Sequence, residues 1–287
     1  MRDVTTVDGR TLRVHEAGAP EGPVVLAQQG TPMIGLLFEA HVRDAEERGI
    51  RLVSYDRPGY GGSTAAPGRS VADAAADVRA IADALGTERL AVWGVSGGGP
   101  HALACAALLP DRVAAVASLG SVAPTDADGL DWFAGMGQTN LEEFAAAQQG
   151  HEALEEYFGP QAREPVTAEG LLQGLRSLLT DVDAAALTGE LGEYLAENMS
   201  GAVRQGVDGW RDDDLAFVKP WGFSVEDILV PVQLWHGEQD HFVPFTHGEW
   251  LAARIPDVHT RLHPEDGHMT LMQRRIPEVH AWLLERL

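Results

Sequence analysis

The 287-residue chain predicts an α/β fold, with a parallel-rich central sheet, helices on both faces and a helical cap. Three observations carry that expectation. Short apolar runs without polar alternation recur between amphipathic segments, as strands covered on both faces require. Strand and helix alternate from Pro23 to Leu119, and the alternation resumes at Val232. Between these halves, from about Ala123 to Phe217, strand-like runs nearly vanish and helix formers dominate, far beyond the length of an ordinary connection.

The elements follow in order. Asp3 to Val7 and Thr11 to Glu16 read as a hairpin closed at Asp8-Gly9. Pro23 to Ala27 is a central strand ending at Gln28-Gln29-Gly30-Thr31-Pro32. Leu37 to Arg48 reads as a helix, Ile50 to Tyr55 as a strand, and Asp56 to Ser63 as a glycine-rich loop. Val71 to Leu85, capped by Ser70, carries Val71, Ala74, Val78, Ile81 and Leu85 on one face. Leu90 to Trp93 is a strand, followed by a tight turn, a helix to about Leu109 and a strand at Val113 to Leu119. Within the insertion, Leu141 to Gln149, His151 to Phe158, Ala168 to Leu179 and Val182 to Met199 read as helices. Val232 to Trp235 is a strand, Phe245 to Ile255 a helix, Thr260 to His263 a short strand, and Met269 to Leu287 largely helical. The expected organisation is a core over 1–122, a cap insertion over 123–217 and the rest of the core over 218–287.

Composition narrows the partners. The chain has 43 Asp plus Glu against 21 Lys plus Arg, a formal charge of -22. Nucleic acid or an anionic membrane would meet a repulsive field, so neither is expected as a partner. A single cysteine, Cys105, leaves no intramolecular disulfide and no cysteine-based zinc site. The first residues lack the apolar segment of a signal peptide, and no 18-residue uncharged apolar span follows, so a cytoplasmic location is expected. The oligomeric state is not legible.

The chemistry centres on Gly94-Val95-Ser96-Gly97-Gly98, which fits G-x-S-x-G between a strand and an apolar helix. A nucleophile at the top of a sheet needs such a sharp turn, and glycines two before and two after let strand and helix approach. Serine alone is a weak nucleophile and needs a base held in the right tautomer. Asp240 follows a strand, and His268 follows Glu265-Asp266-Gly267 before the last helical segment. The chain order Ser96, Asp240, His268 suits this architecture, with Asp240 holding the ring and His268 moving the proton. His263 is the nearest rival base but lacks the turn-to-helix context. A metal centre on His259, His263 and His268 is disfavoured because Pro264 breaks the helix that such spacing requires. No metal or organic cofactor is expected.

With these residues in place, the chain resembles the alpha/beta-hydrolase family, as a serine-nucleophile, esterase-like member with a helical cap. The resemblance rests on Gly94 to Gly98, Asp56 to Ser63, Gly237 to Pro244 and Gly267-His268, and is vague across the insertion. It implies backbone N–H groups of Thr31 and Gly97 as oxyanion donors. One departure stands out: members usually carry His-Gly before the oxyanion loop, and this chain has Gln29-Gly30, so Gln29 is expected to take over the histidine's hydrogen bonds. Haloalkane dehalogenases and epoxide hydrolases of the family generally use aspartate as nucleophile, whereas this elbow holds Ser96. Met33, Tyr60, Trp132 and Trp210 are possible pocket residues. Asp56 and Arg57 are expected to brace the glycine-rich loop. Glu142, Glu143, Glu152, Glu155 and Glu156 are too many to choose among as partners for a substrate amine. The expected function is cleavage of a small or medium hydrophobic carboxylic ester through an acyl-enzyme. An aminopeptidase or amidase-like hydrolase and a specialised acyl-transfer or cyclisation enzyme are the alternatives, with a non-enzymatic binding protein behind them. The expected partner is a small-molecule ester or amide.

Overall fold

A computed structural model describes residues 1–159 and 167–287. Among the described residues, eight strands form one sheet: β1 (Arg2–Thr5), β2 (Thr11–Gly18), β3 (Val24–Gln28), β4 (Arg51–Tyr55), β5 (Leu90–Val95), β6 (Val113–Leu119), β7 (Val232–Gly237) and β8 (Val258–His263). Their spatial order is β1-β2-β4-β3-β5-β6-β7-β8. The first hairpin pairs β1 with β2, and β2 with β4, antiparallel; every later pair is parallel. The apolar runs read as buried strands are that: every residue of β3, β5, β6 and β7 is buried. By contrast β8, with its His, Thr and Arg side chains, is largely exposed. Polar residues of that kind suit a sheet edge that must not recruit another strand.

Helices cover both faces. α1 (Glu39–Glu47) and α12 (Ile276–Leu284) pack together on one face, and α2 (Ala74–Leu85) and α3 (Gly98–Leu108) on the other. α2 buries the stripe its periodicity foretold, including Val78 and Ile81, and stops at Gly86, whose φ of 69° is the left-handed cap glycine supplies cheaply. Its first turn, Val71 to Asp73, is tightened to a 3-10 turn, with the Asp73 carboxylate accepting the Ser70 N–H at 2.7 Å. α3 is buried from Gly98 to Ala106, so the alanines and Cys105 act as thin packing between sheet and helix. α10 (Phe245–Ala252) packs on β7 and β8.

Between β6 and β7 lie α4 (Gln138–Gln149), α5 (His151–Phe158), α6 (Ala168–Gly174), α7 (Asp181–Ala186), α8 (Glu190–Val203) and α9 (Asp208–Phe217). This is the helical insertion that the sequence foretold between core strands. Several elements depart from the sequence reading: α6 stops at Gly174 short of the expected Leu179, and α9 was not foreseen. The helix expected over Val182 to Met199 is broken into α7 and α8 at Gly189, whose φ of 78° and ψ of -142° no helix contains. The last helical segment divides into α11 (His268–Arg274) and α12, where Pro277 sits in the first turn of α12 and cannot donate to the preceding turn.

The sheet and α3 meet most tightly at the turn after β5. A methyl group on Gly94 would overlap the backbone carbonyl of Gly98 and stand 2.9 Å from the Ala102 methyl. Gly94→Ala should therefore lower stability by about 1–3 kcal/mol, the usual cost of overpacking a tight core. Urea unfolding checks this; an unchanged midpoint would mean that strand and helix can separate freely.

Candidate active site

Ser96 stands on this turn with φ of 54°, among the described residues the one non-glycine residue with positive φ. Such a conformation strains an L-residue and persists only where its surroundings over-determine it. Here they do. The Ser96 N–H donates to Leu119 O at 2.8 Å, and its carbonyl accepts from Gly99 N–H at 2.9 Å. The turn therefore hooks the end of β5 to the end of β6 and starts α3, leaving the side chain half-buried and facing a cavity.

His268 begins α11 and lines the same cavity. Its Nδ1–H donates to Asp240 Oδ2 at 2.6 Å. The other oxygen, Oδ1, accepts the backbone N–H groups of Phe242 and Val243 at 2.9 and 2.8 Å, which fixes the carboxylate's plane. The Phe242 ring stacks on the imidazole at 4.6 Å. Burial would lower the histidine's pKa, but the adjoining Asp240 charge and hydrogen bond outweigh it and hold the pKa above the usual value. Gly120 makes room for the pair: with φ of 55°, a Cβ there would lie 3.0 Å from His268 Nδ1.

The sequence did not single out Asp183, which braces this histidine from the insertion. Its carboxylate, buried at the start of α7, accepts the N–H groups of His268 and Met269 at 2.9 and 2.8 Å and of Thr270 at 3.2 Å. An acidic side chain there satisfies the free N–H groups at the start of α11 and ties the insertion to the residue that carries the imidazole. His263, the rival base, instead stacks on Trp235 at 5.3 Å. His236 and His247 are buried and bonded to the carbonyls of Val243 and Trp132, so both are structural.

Opposite the histidine, Thr31 and Gly97 also line the cavity. Among the described residues, neither backbone N–H has an acceptor within the protein. Gly97 precedes α3, so the positive end of that helix adds to the field there. The loop holding Thr31 is fixed by a buried ion cluster. Arg57 donates to the carbonyls of Gln29 and Gly30 and, at 2.9 Å, to Thr31 Oγ1. It pairs with Asp213 of α9 at 2.6 Å, as does Arg69, also at 2.6 Å. Thr31 and Tyr60 donate their hydroxyl protons to the same carboxylate at 2.8 and 2.9 Å. Burial alone would raise the Asp213 pKa, but the two guanidiniums hold it far below the ordinary carboxylate range. His101 completes the cluster, donating from Nδ1 to Gly97 O at 2.8 Å; burial pushes its pKa down to about 3, leaving a neutral ring. Gln29 donates to Leu36 O at 3.1 Å, the same carbonyl that accepts the Tyr194 hydroxyl at 2.8 Å.

The cavity measures about 640 Å³ and its wall is mainly apolar, drawn from the sheet edge and the insertion. Met33 and Trp210 line it, as the sequence allowed. Tyr60 and Trp132 do not. Tyr60 is turned inward to Asp213, and Trp132 is packed between Phe144 and His247 with its indole N–H on Ala123 O. Arg57 braces the loop from Gln29 to Thr31 more than the glycine-rich one, while Asp56 accepts from Gly35, Gly62 and His15. Two acids of the insertion, Glu143 and Asp214, also line the cavity.

A family model described as alpha/beta hydrolase fold matches residues 23–274. The chain belongs to that family. It is a hydrolytic enzyme acting on small organic substrates. It is 28% identical to an epoxide hydrolase A of Mycobacterium tuberculosis, over 98% of this chain and 95% of that protein. It is also 28% identical to a 2-hydroxy-6-oxononadienedioate/2-hydroxy-6-oxononatrienedioate hydrolase of Burkholderia vietnamiensis, over 91% of this chain and 86% of that one. The fold is shared with an esterase of Exiguobacterium antarcticum at a TM-score of 0.71 and 23% identity, covering 99% and 98% of the two chains. Among the described residues, no helix is long and apolar enough to cross a membrane.

Asp213→Asn should cost about 3–5 kcal/mol, because it strands two buried guanidiniums. The sign with pH follows from the depressed pKa: the carboxylate's contribution is complete above the unfolded value of about 4 and is lost only as pH falls below it. The gap between wild type and variant in urea unfolding should be full at pH 7 and shrink in acid; a gap that widened in acid would contradict the assignment.

Proposed function

We propose that the protein is a serine carboxylic-ester hydrolase working through an acyl-enzyme. The observation that carries this reading is the left-handed Ser96 sharing one cavity with an imidazole whose far nitrogen is held by Asp240. His268 Nε2 takes the Ser96 proton as Oγ bonds to the substrate carbonyl carbon. The N–H groups of Thr31 and Gly97 stabilise the oxyanion. The carbon–oxygen bond to the alcohol breaks as His268 returns the proton to the leaving group. Water, deprotonated by the same nitrogen, then attacks the acyl carbon; the bond to Oγ breaks, Oγ regains the proton, and the acid departs.

An ester is favoured over an amide because its alcohol is the better leaving group, and the apolar wall suits a small or medium hydrophobic one. The relatives are named as an epoxide hydrolase, a 2-hydroxy-6-oxononadienedioate/2-hydroxy-6-oxononatrienedioate hydrolase and an esterase, and a serine at the elbow suits the acyl chemistry of the last. The division into a core over 1–122 and 218–287 with a cap over 123–217 belongs to the same proposal. So does a cytoplasmic location, which cell fractionation would check.

Turnover of p-nitrophenyl acetate, butyrate and octanoate tests the mechanism. Ser96→Ala should lower kcat by about 10⁴-fold or more. Only neutral His268 can accept the serine proton, and its pKa is raised, so kcat/KM should climb as pH rises through a value above about 6.5. Wild-type rates in a folded Ser96→Ala protein, or activity that falls over this range, would overturn the mechanism.

A further inference from the structure

Glu143 of α4 and Asp214 of α9 face the cavity that holds Ser96, and the acyl-enzyme chemistry uses neither. The two helices pack on each other. Glu143 lies beside Asp214 and accepts the Trp210 indole N–H at 2.7 Å. Burial raises the pKa of both carboxyls, and the charge on Glu143 raises Asp214 further. Two carboxyls sharing one buried site do not readily ionise together, so the pair shares a proton and carries one negative charge.

That charge has no cation of its own. Asp214 is 1% exposed, and among the described residues no donor reaches its Oδ2. Arg69 lies close enough to act on Asp214 but is committed to Asp213 and to the carbonyls of Pro58 and Gly209. Arg57 serves Asp213 and the oxyanion loop. Arg211 pairs with Asp208, Asp212 and Glu155. Around the two acids the wall is apolar, with Phe144, Leu171, Leu195 and Phe217. An uncompensated charge in such surroundings is unfavourable until a counter-ion arrives. A neutral hydroxyl would leave the charge unbalanced.

We infer that Glu143 and Asp214, with Trp210, form a subsite for a protonated amine, and that the substrate is an ester or amide carrying a basic amino group on an otherwise apolar chain. The inference rests on Ser96 being the nucleophile of that same cavity. It deepens that reading by giving the pocket a polar end.

A matched pair of substrates tests it: p-nitrophenyl ω-aminohexanoate against p-nitrophenyl heptanoate, which exchange an ammonium for a methyl, with shorter and longer homologues of each. At pH 7 the ammonium ester of at least one length should have the higher kcat/KM, by about tenfold or more, as a desolvated charge pair supplies. Glu143→Gln should bring that ratio to about one, and Asp214→Asn, checked for fold by circular dichroism, should also reduce it. Calorimetry with n-hexylammonium chloride reads the subsite without turnover; wild type should bind it and Glu143→Gln should not. A preference for the methyl-terminated ester at every length, or an ammonium preference that survives both substitutions, would overturn the subsite. Neutral esters cleaved through Ser96 without hexylammonium binding would sink the subsite alone. Hexylammonium binding without cleavage of any ester would keep the subsite and sink the acyl-enzyme.

Discussion

The left-handed backbone at Ser96 is the constraint on which the site depends. A serine at φ of 54° is unfavourable by itself and is stable only because β5, β6 and α3 close on it from three sides. Gly94 and Gly98 let those elements touch. The same closure places the Gly97 N–H at the head of α3 and turns the Ser96 side chain toward the cavity. Sheet order contributes as much: β5 lies at the centre, and β7, two strands away, delivers Asp240 from its end. His268 enters from the next turn, across the space that Gly120 leaves open.

The second level of order is electrostatic and comes from the insertion. Asp213 on α9 gathers Arg57, Arg69, Thr31 and Tyr60 into one buried cluster, while Asp183 on α7 holds the start of α11. One acid therefore fixes the loop holding Thr31 and the other the segment carrying His268. Both lie in helices that the core does not need for its sheet. The insertion thus positions groups on both sides of Ser96 as well as walling the cavity. Buried charges of this kind add little net stability over an apolar core, but removing one partner is severe, so they enforce one geometry.

The sheet and its helices were legible because burial on both faces leaves unalternating apolar runs, as at Val24 to Ala27 and Val113 to Leu119. That Ser96 and His268 share a cavity and that His268 meets Asp240 was legible because each of the three sits at a predictable turn beside a strand or helix end. The pocket was not. Trp132 and Tyr60 are aromatic residues near the site, yet one packs on His247 and the other bonds to Asp213. Nor was Asp212-Asp213-Asp214: a run of three acids reads as a solvated face, whereas all three are buried here. Their partners, Arg57, Arg69, Arg211 and Glu143, are distant in sequence or indistinct among many charges, so no local pattern announces the pairing. The break at Gly189 was missed for a related reason, since glycine is tolerated inside helices and marks a break only when its backbone leaves the helical region.

The central claim is that Ser96 is an activated nucleophile. The most direct measurement is intact-protein mass after treatment with a small fluorophosphonate, on wild type and on Ser96→Ala. The account expects one adduct on the wild type and none on a folded Ser96→Ala protein. A wild type that stays unlabelled, or a variant that labels equally, would contradict it.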